Sequence, residues 1–530
     1  MFTILCTDTL ASIFQHLIDK EKIYLLSTCE SMNLLKNKFV YHDQIDAKHV
    51  QKLSYAKNFK HVHHIVRTTK APKFATHIEF DATFNRCIDG MIPNSVTHIK
   101  LGRSFNQPIK QLPTSLVSLA FGANFNNSID GKIPPSVTHL EFGEMFDGEI
   151  DDVIPPSVVK LVMPGMFDKI TPQSLPSSIK DLTFTHHFKT QELTPHIYTD
   201  KIYVPHGVTH LKFQCSVSSS LEGILPESLT HLSFHSFIKF PVTQCIPSMV
   251  TYLDFGDLFD QPIERCIPPP VKKLFFGLSF NQSIIGHIPE GVEEITFGSR
   301  FNKPIDGCFP ASLTHLTFGT EFNQPIYGHL PRNLTHIVFG FNFAQSIRDS
   351  IPETVEHLGF GRFERIDSKD LPSNIKYLTI DSDDFSTNIP SSVTHLCFSW
   401  SVSIDKIRLI PATVTHLTLN YITYRCKQAT GHGSSYWKKQ KINDWIPKTV
   451  THLTLAKDFF SVRTLTDAVP DTITHLTLQN KRRIVIKGNI PSSVTHLTLY
   501  STYRKIYSRH IPSTVKYVEW VPPPVIMFNY

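Results

Sequence analysis

Histidine is the residue whose type and spacing could do chemistry. The chain holds 28 histidines in 530 residues. Thirteen of them stand five positions after a proline: His77, His98, His139, His210, His231, His315, His336, His357, His395, His416, His452, His475 and His496. Imidazoles in a regular pattern could serve a metal site or a proton-transfer array. Tetrahedral zinc, however, needs several ligands converging on one point. This spacing sets the rings in a line, and neither thiolates nor carboxylates accompany them at a fixed offset. The expected role is a ladder of stacked rings on an exposed face, flanked by Thr or Lys two residues further on. Protonation below about pH 6 would then align positive charges and weaken the fold. His61, His63 and His64 are denser, but no HExxH pattern or matching cysteines support a metal there.

The other reactive groups are sparser. Nine cysteines, an odd number without any CxxC, point to reduced thiols inside a cell. Cys245, Cys266 and Cys308 each lie two residues before a proline and form a thiol ladder rather than a redox pair. No GxSxG, phosphate-binding loop or dinucleotide fingerprint occurs. The expectation is a protein that is not an enzyme, with no catalytic residue, cofactor or metal. Charged residues make up 18% and apolar residues 41%, a composition that folds. The net charge of +6, spread thinly, weakly favours an acidic partner and does not point to nucleic acid. No window of about 18 apolar residues could span a membrane. The start MFTILCTDTL lacks the marks of a signal peptide. An intracellular, cytoplasmic protein is expected.

The elements that must position the histidines come from a period of about 21 residues. A proline recurs at 72, 93, 113, 134, 155, 176, 205, 226, 247, 268, 289, 310, 331, 352, 372, 390, 411, 447, 470, 491 and 512, giving 21 copies. Counting from each proline, positions −1, +3, +6 and +8 are apolar, as in Ile133, Val137, Leu140 and Phe142. Positions +6 and +8 share one face of an extended chain while +5 and +7 share the other. Thr, Val, Ile and Phe favour strands, and a proline in every period prevents a helix from running through it. A strand of about four residues cannot bury its apolar face alone, but stacked copies can. Phe at +12 (Phe84, Phe105, Phe125, Phe146, Phe259, Phe280, Phe301, Phe322) would enter the same core from the returning limb. The following Asn or Asp would bond turn backbone in the neighbouring coil.

The spacing Pro-x-x-Leu-x-x-Leu-x-Leu resembles short leucine-rich repeats. Segments such as Phe105-Asn106-Gln107-Pro108-Ile109 and Phe322-Asn323-Gln324-Pro325-Ile326 look like the FNIP repeat, over residues 71–520 and less fully after Leu371. The resemblance implies a mostly β, curved solenoid of about 21 coils with a parallel sheet on its concave side. Residues 47–70 read as a degenerate first coil, with Val50, Leu53 and Tyr55 at the +3, +6 and +8 places, and residues 521–530 as a tail. Insertions fall at about 190–203 and 420–445, the second basic and aromatic (Tyr436-Trp437-Lys438-Lys439-Gln440-Lys441).

Residues 1–46 lack the period. Leu10, Ile13, Phe14 and Leu17 form one apolar helical stripe, Asp19 can cap a second helix carrying Ile23, Leu25 and Leu26, and a third runs from about Ser31 to Phe39. With Leu5, Asp8, Ser27 and Cys29 these residues resemble an F-box, departing from it at Cys6 and Met32. That resemblance implies docking on a Skp1-type adaptor of a cullin ubiquitin ligase through Leu10, Ile13, Phe14, Leu17, Ile23 and Leu26. The repeats would hold an unknown protein target, with His315, His336, His357, His395 and His416 on the binding face. F-box plus FNIP architecture is typical of amoebae and their large DNA viruses, so a viral protein would act in host cytoplasm. The alternative is a non-enzymatic binding scaffold whose amino-terminal helices only seal the first coil.

Overall fold

The computed structural model describes residues 10, 14, 19–28, 30–164, 170–185, 196–197, 203–217, 220–235, 238, 241–242, 245–361, 368–380, 389–403, 407, 409–423, 446–457, 469–480, 490–500 and 511–521. They fall into two units, Met1–Val250 and Thr251–Tyr530. Ile13, Leu17, the tail from residue 522 and most of both insertions lie outside the described residues.

One coil explains the others. After Pro134 the chain turns, and Val137 N donates to the Pro134 carbonyl at 3.1 Å. Ser136 donates from its hydroxyl to the Leu116 carbonyl of the preceding coil at 2.6 Å. The strand His139–Glu141 then pairs in parallel, with Leu140 opposite Leu119 on one side and Leu161 on the other. Leu140 and Phe142 are buried, and His139 faces out. Proline-driven turn, hydroxyl clamp and alternating strand thus follow from Pro-x-Ser-Val-Thr-His-Leu directly.

Stacking these coils makes each unit a mostly β, parallel solenoid, with about 18 turns in all. The described residues do not establish 21 coils, because the returning limbs around 186–195, 381–388, 424–445, 458–468, 481–489 and 501–510 are not among them. In unit two, strands at Glu294–Thr296, His315–Thr317, His336–Phe339 and His357–Phe360 pair in unbroken register. The +12 phenylalanines stack inside at about one coil spacing, as Phe280 on Phe301 at 6.0 Å and Phe301 on Phe322 at 6.1 Å. Each also meets the +8 ring of its own coil, Phe297 on Phe301 at 3.9 Å and Phe318 on Phe322 at 3.7 Å. Glycine at +9 is required by closeness: a Cβ on Gly298 would lie 2.0 Å from the Gly277 carbonyl oxygen.

The Asn positions form a second ladder on the returning limb. Asn302 Oδ1 accepts from Asn323 N at 3.0 Å and from Gln324 Nε2 at 2.9 Å, and Asn323 Oδ1 accepts from Ala344 N at 2.9 Å. Asp260 does the same for Asn281 N and Gln282 Nε2.

The amino-terminal segment holds helices at Asp19–Leu26 and Glu30–Leu34, then a 3-10 turn at Leu35–Lys38. Helix gives way earlier than the spacing predicts, because Tyr41–Asp46 is a strand pairing in parallel with Phe59–Val66. The first-coil register also differs. His63 lies opposite His77, so the strand of that coil is Phe59–Val66 and not Leu53–Tyr55. Leu53 and Tyr55 instead sit in tight turns closed by Leu53 N to the Val50 carbonyl at 2.8 Å and Ala56 N to the Leu53 carbonyl at 3.2 Å.

Candidate partner-binding face

Strand alternation puts +5 and +7 on the outer face of the sheet, and there the histidines form a column. In unit two, ring centroids step from His315 to His336 (4.0 Å), His357 (3.8 Å), Tyr377 (3.9 Å), His395 (4.2 Å), His416 (4.0 Å), His452 (3.9 Å), His475 (4.0 Å), His496 (4.1 Å) and Tyr517 (4.5 Å). In unit one the column is broken: His77 stacks on His98 at 4.1 Å and His210 on His231 at 4.1 Å, while Ser118, Lys160 and Asp181 take the same place in other coils. All five histidines expected on the binding face are therefore on one column.

Each histidine of the column that follows a threonine is held by it. Thr Oγ1 lies 2.8–3.0 Å from His Nδ1 in every Thr-His copy, for example Thr335 with His336 at 2.8 Å, Thr209 with His210 at 3.0 Å and Thr415 with His416 at 2.9 Å. Burial, reinforced by neighbouring imidazoles, pushes His77 and His336 down to about 4 from the usual 6.5. Burial likewise lowers His357, His395, His416, His452 and His475. His77 and His336 are thus neutral at physiological pH. No group of three His, Cys, Asp or Glu among the described residues is arranged to hold a metal ion.

A shallow cavity of about 290 Å³ opens on this face, lined among others by Tyr377, His395, Cys397, His416, His452 and Thr454. Upstream the face is charged instead. Lys273 pairs with Glu294 at 2.7 Å and Lys272 with Glu293 at 2.9 Å, across neighbouring coils.

Reading histidine alone missed three rungs. Tyr377 and Tyr517 occupy +5 and continue the stack, as their place after the proline could have shown. His63 stacks on His77 at 4.6 Å, although the 14-residue step between them breaks the period. Of the expected docking residues of the amino-terminal helices, Leu10, Phe14, Ile23 and Leu26 are among the described residues. Leu10, Phe14 and Leu26 are buried with Met32 in an internal cluster, and Phe14 meets Phe39 at 4.4 Å. Ile23 packs against the cluster of Tyr41, Val50, Tyr55 and Phe59 at the first strands. Asp19 and Asp43 tie the helix to that strand, Asp43 N donating to the Asp19 carboxylate at 2.6 Å. Among the described residues, the exposed large apolar groups of the helices are Tyr24 (64%) and Leu34 (70%).

With this geometry in hand, comparison with known proteins is direct. Residues 72–104, 84–124, 125–164, 241–279, 280–321 and 322–363 match the FNIP Repeat. The chain carries FNIP repeats. An FNIP repeat-containing protein, R636, of Acanthamoeba polyphaga mimivirus is 32% identical over 108 residues, which is 17% of this chain and 27% of that protein. The chain thus spans about a quarter of the curated relative it matches. Among solved structures, the crystal structure of CroV588, described as a novel circular LRR protein structure, is 29% identical. That match covers 88% of this chain and 72% of the other, with a TM-score of 0.52. FNIP-repeat solenoid, leucine-rich-repeat-like, is the architecture these matches support.

Proposed function

We propose that the protein is a non-enzymatic scaffold that binds a protein partner on the outer face of its sheet, with the amino-terminal helices sealing the first coil. The observation carrying this reading is the ring column from His315 to Tyr517, an ordered, repeated surface with no metal-ligating group of three among the described residues. Solenoids build extended binding faces in this way. The burial of Leu10, Phe14 and Leu26 within the helical segment supports the sealing role. The test is capture of partners by the full chain and by a variant with His395, His416 and His452 changed to Glu. Loss of the captured partner, with the melting curve retained, is the expected result; undiminished capture would reject the face.

A second reading keeps the helices as an F-box that docks a Skp1-type adaptor and cullin complex, the repeats delivering a target for ubiquitin transfer by proximity. The exposed Tyr24 and Leu34 favour it, as apolar surface beyond what the internal cluster uses. Binding of a purified Skp1-type protein, lost on changing Tyr24 and Leu34 to Asp, would support it. The finer division proposed with these readings is residues 1–46 for the helical segment, 47–70 for the first coil, 71–520 for an array of 21 coils and 521–530 for a tail. A reducing, intracellular setting, host cytoplasm if the protein is viral, completes the proposal.

A further inference from the structure

The hydrogen bonds behind the ring column decide which nitrogen faces the solvent. Thr394 carbonyl oxygen accepts from Thr415 N at 2.9 Å and from His416 N at 3.1 Å. The same pair of donors fills the carbonyls of Thr415, Thr451 and Thr474 at 2.9–3.1 Å. A carbonyl oxygen has two lone pairs. The threonine hydroxyls approach these occupied oxygens only at 3.2–3.4 Å, Thr415 at 3.4 Å, Thr474 at 3.3 Å and Thr495 at 3.2 Å. That is long for an O–H···O bond, which centres near 2.7–2.8 Å. The hydroxyls of Thr394, Thr415, Thr451, Thr474 and Thr495 lie only 2.9 Å from Nδ1 of the following histidine. The shorter approach is to Nδ1, and a hydroxyl donating there leaves the neutral ring with its own hydrogen on Nε2.

We infer that the outer face from His395 to His496 is a row of parallel Nε2–H donors that receives an acidic segment of a partner protein. This deepens the proposed scaffold role and rests on it. The surroundings do not compete. Thr394, Cys397, Thr415, Thr418, Thr451, Thr454, Thr474, Thr477, Thr495 and Thr498, which share this face, carry no formal charge. The charged residues nearest the ends of the row are the Glu356–Lys376 pair, 2.6 Å apart, before it and Lys516 and Glu519 after it. Lys448 and Asp471 stand one residue after their prolines, at the turns, and Lys457 at the end of its strand. The cavity over His395, His416 and His452 gives the segment a seat. A basic segment would meet N–H groups, not lone pairs, along the row, and only neutral threonine hydroxyls beside it.

Acid strengthens the site. When a ring takes a second proton at Nδ1, its threonine hydroxyl can rotate its hydrogen away and accept from Nδ1–H instead, so the ring keeps its place. Rings about 4 Å apart repel one another once charged, and a bound carboxylate relieves this. Partner binding and proton uptake are therefore reciprocal.

The experiment uses the full chain with two labelled twelve-residue peptides, one rich in Glu and Asp and one rich in Lys. The acidic peptide should bind saturably and about tenfold more tightly at pH 5.5 than at 7.5, within the roughly hundredfold ceiling of one linked proton over two pH units; the basic one should not bind. Two-bond proton–nitrogen correlation on histidine-labelled protein should show the Nε2–H form for the column. Changing Thr415 and Thr451 to Val should abolish that signature and weaken the acidic peptide, while the Ser variants should keep both. Preference for the basic peptide, or an Nδ1–H signature in the native chain, would overturn the inference. Failure of both peptides, while the His→Glu face variant still loses its captured partner, would overturn the acidic partner and leave the scaffold role standing.

Discussion

Two stretches of unit two spend the same repeat differently. The coils with strands at Tyr252–Asp254, Lys273–Phe275 and Glu294–Thr296 carry stacked phenylalanines inside, the Asn/Asp ladder on the returning limb, and charged side chains outside. The coils from His395 to His496 have Leu at +8 in place of Phe in all but the first, as at Leu419, Leu455, Leu478 and Leu499, and an unbroken histidine column outside. FNIP matches cover the first stretch and not the second. Because successive side chains of a strand point to opposite faces, interior and exterior can change independently, and only the four apolar positions and the proline must persist.

The comparison predicts that interior changes cost most in the phenylalanine coils. Phe301→Ala should lower unfolding free energy by about 3–5 kcal/mol, because Phe301 stacks on Phe280, Phe297 and Phe322. Denaturant melts of the variant beside Leu478→Ala in the later coils, expected at about 2–5 kcal/mol, would sharpen or erase the contrast. Next is the limb ladder: Asn302→Leu leaves Asn323 N without its acceptor and Gln324 Nε2 with only the Asn302 backbone carbonyl, 3.2 Å away, at about 1–3 kcal/mol, and a loss under about 0.5 kcal/mol would make that ladder decorative.

Titration should act through the histidine column. Folded-state values of His357, His395, His416, His452 and His475 lie below the ordinary 6.5, and those of His77 and His336 near 4, so the unfolded chain binds more protons between these limits. The stability they contribute is complete above about pH 6.5 and is lost as pH falls toward 4. The melting temperature should drop between pH 7.5 and 5.5, less so when His395, His416 and His452 are Gln; no drop would contradict the burial of the rings. Smallest is the outer charge pair of the earlier coils. Removing Lys273 and Glu294 singly and together should give a coupling of at most about 1 kcal/mol, since both are substantially exposed.

Much of this was readable from spacing. Prolines, apolar positions and the Thr-His-Leu core predict a parallel stack, and Leu140, Leu316 and Leu497 are buried as that requires. The Asn positions predict bonds to the next coil, found at Asn85, Asn106, Asn281 and Asn302. What spacing could not convey is competition for a side chain. A stripe such as Leu10 and Phe14 reads alike whether it awaits a partner or is consumed by Met32 and Phe39 within the chain. The strand of the first coil, Phe59–Val66, escaped because no proline precedes Pro72 to mark its phase. Nor does residue spacing tell which ring nitrogen holds the hydrogen, which depends on how many donors reach one backbone oxygen.

The evenness of the column has a kinetic meaning. Any guest that grips two rungs finds four interchangeable berths among the five from His395 to His496. Its association gains a statistical factor of about fourfold, and it can shuffle from berth to berth without leaving. Tyr377 and Tyr517 flank these five rungs, and at each the phenol replaces the imidazole.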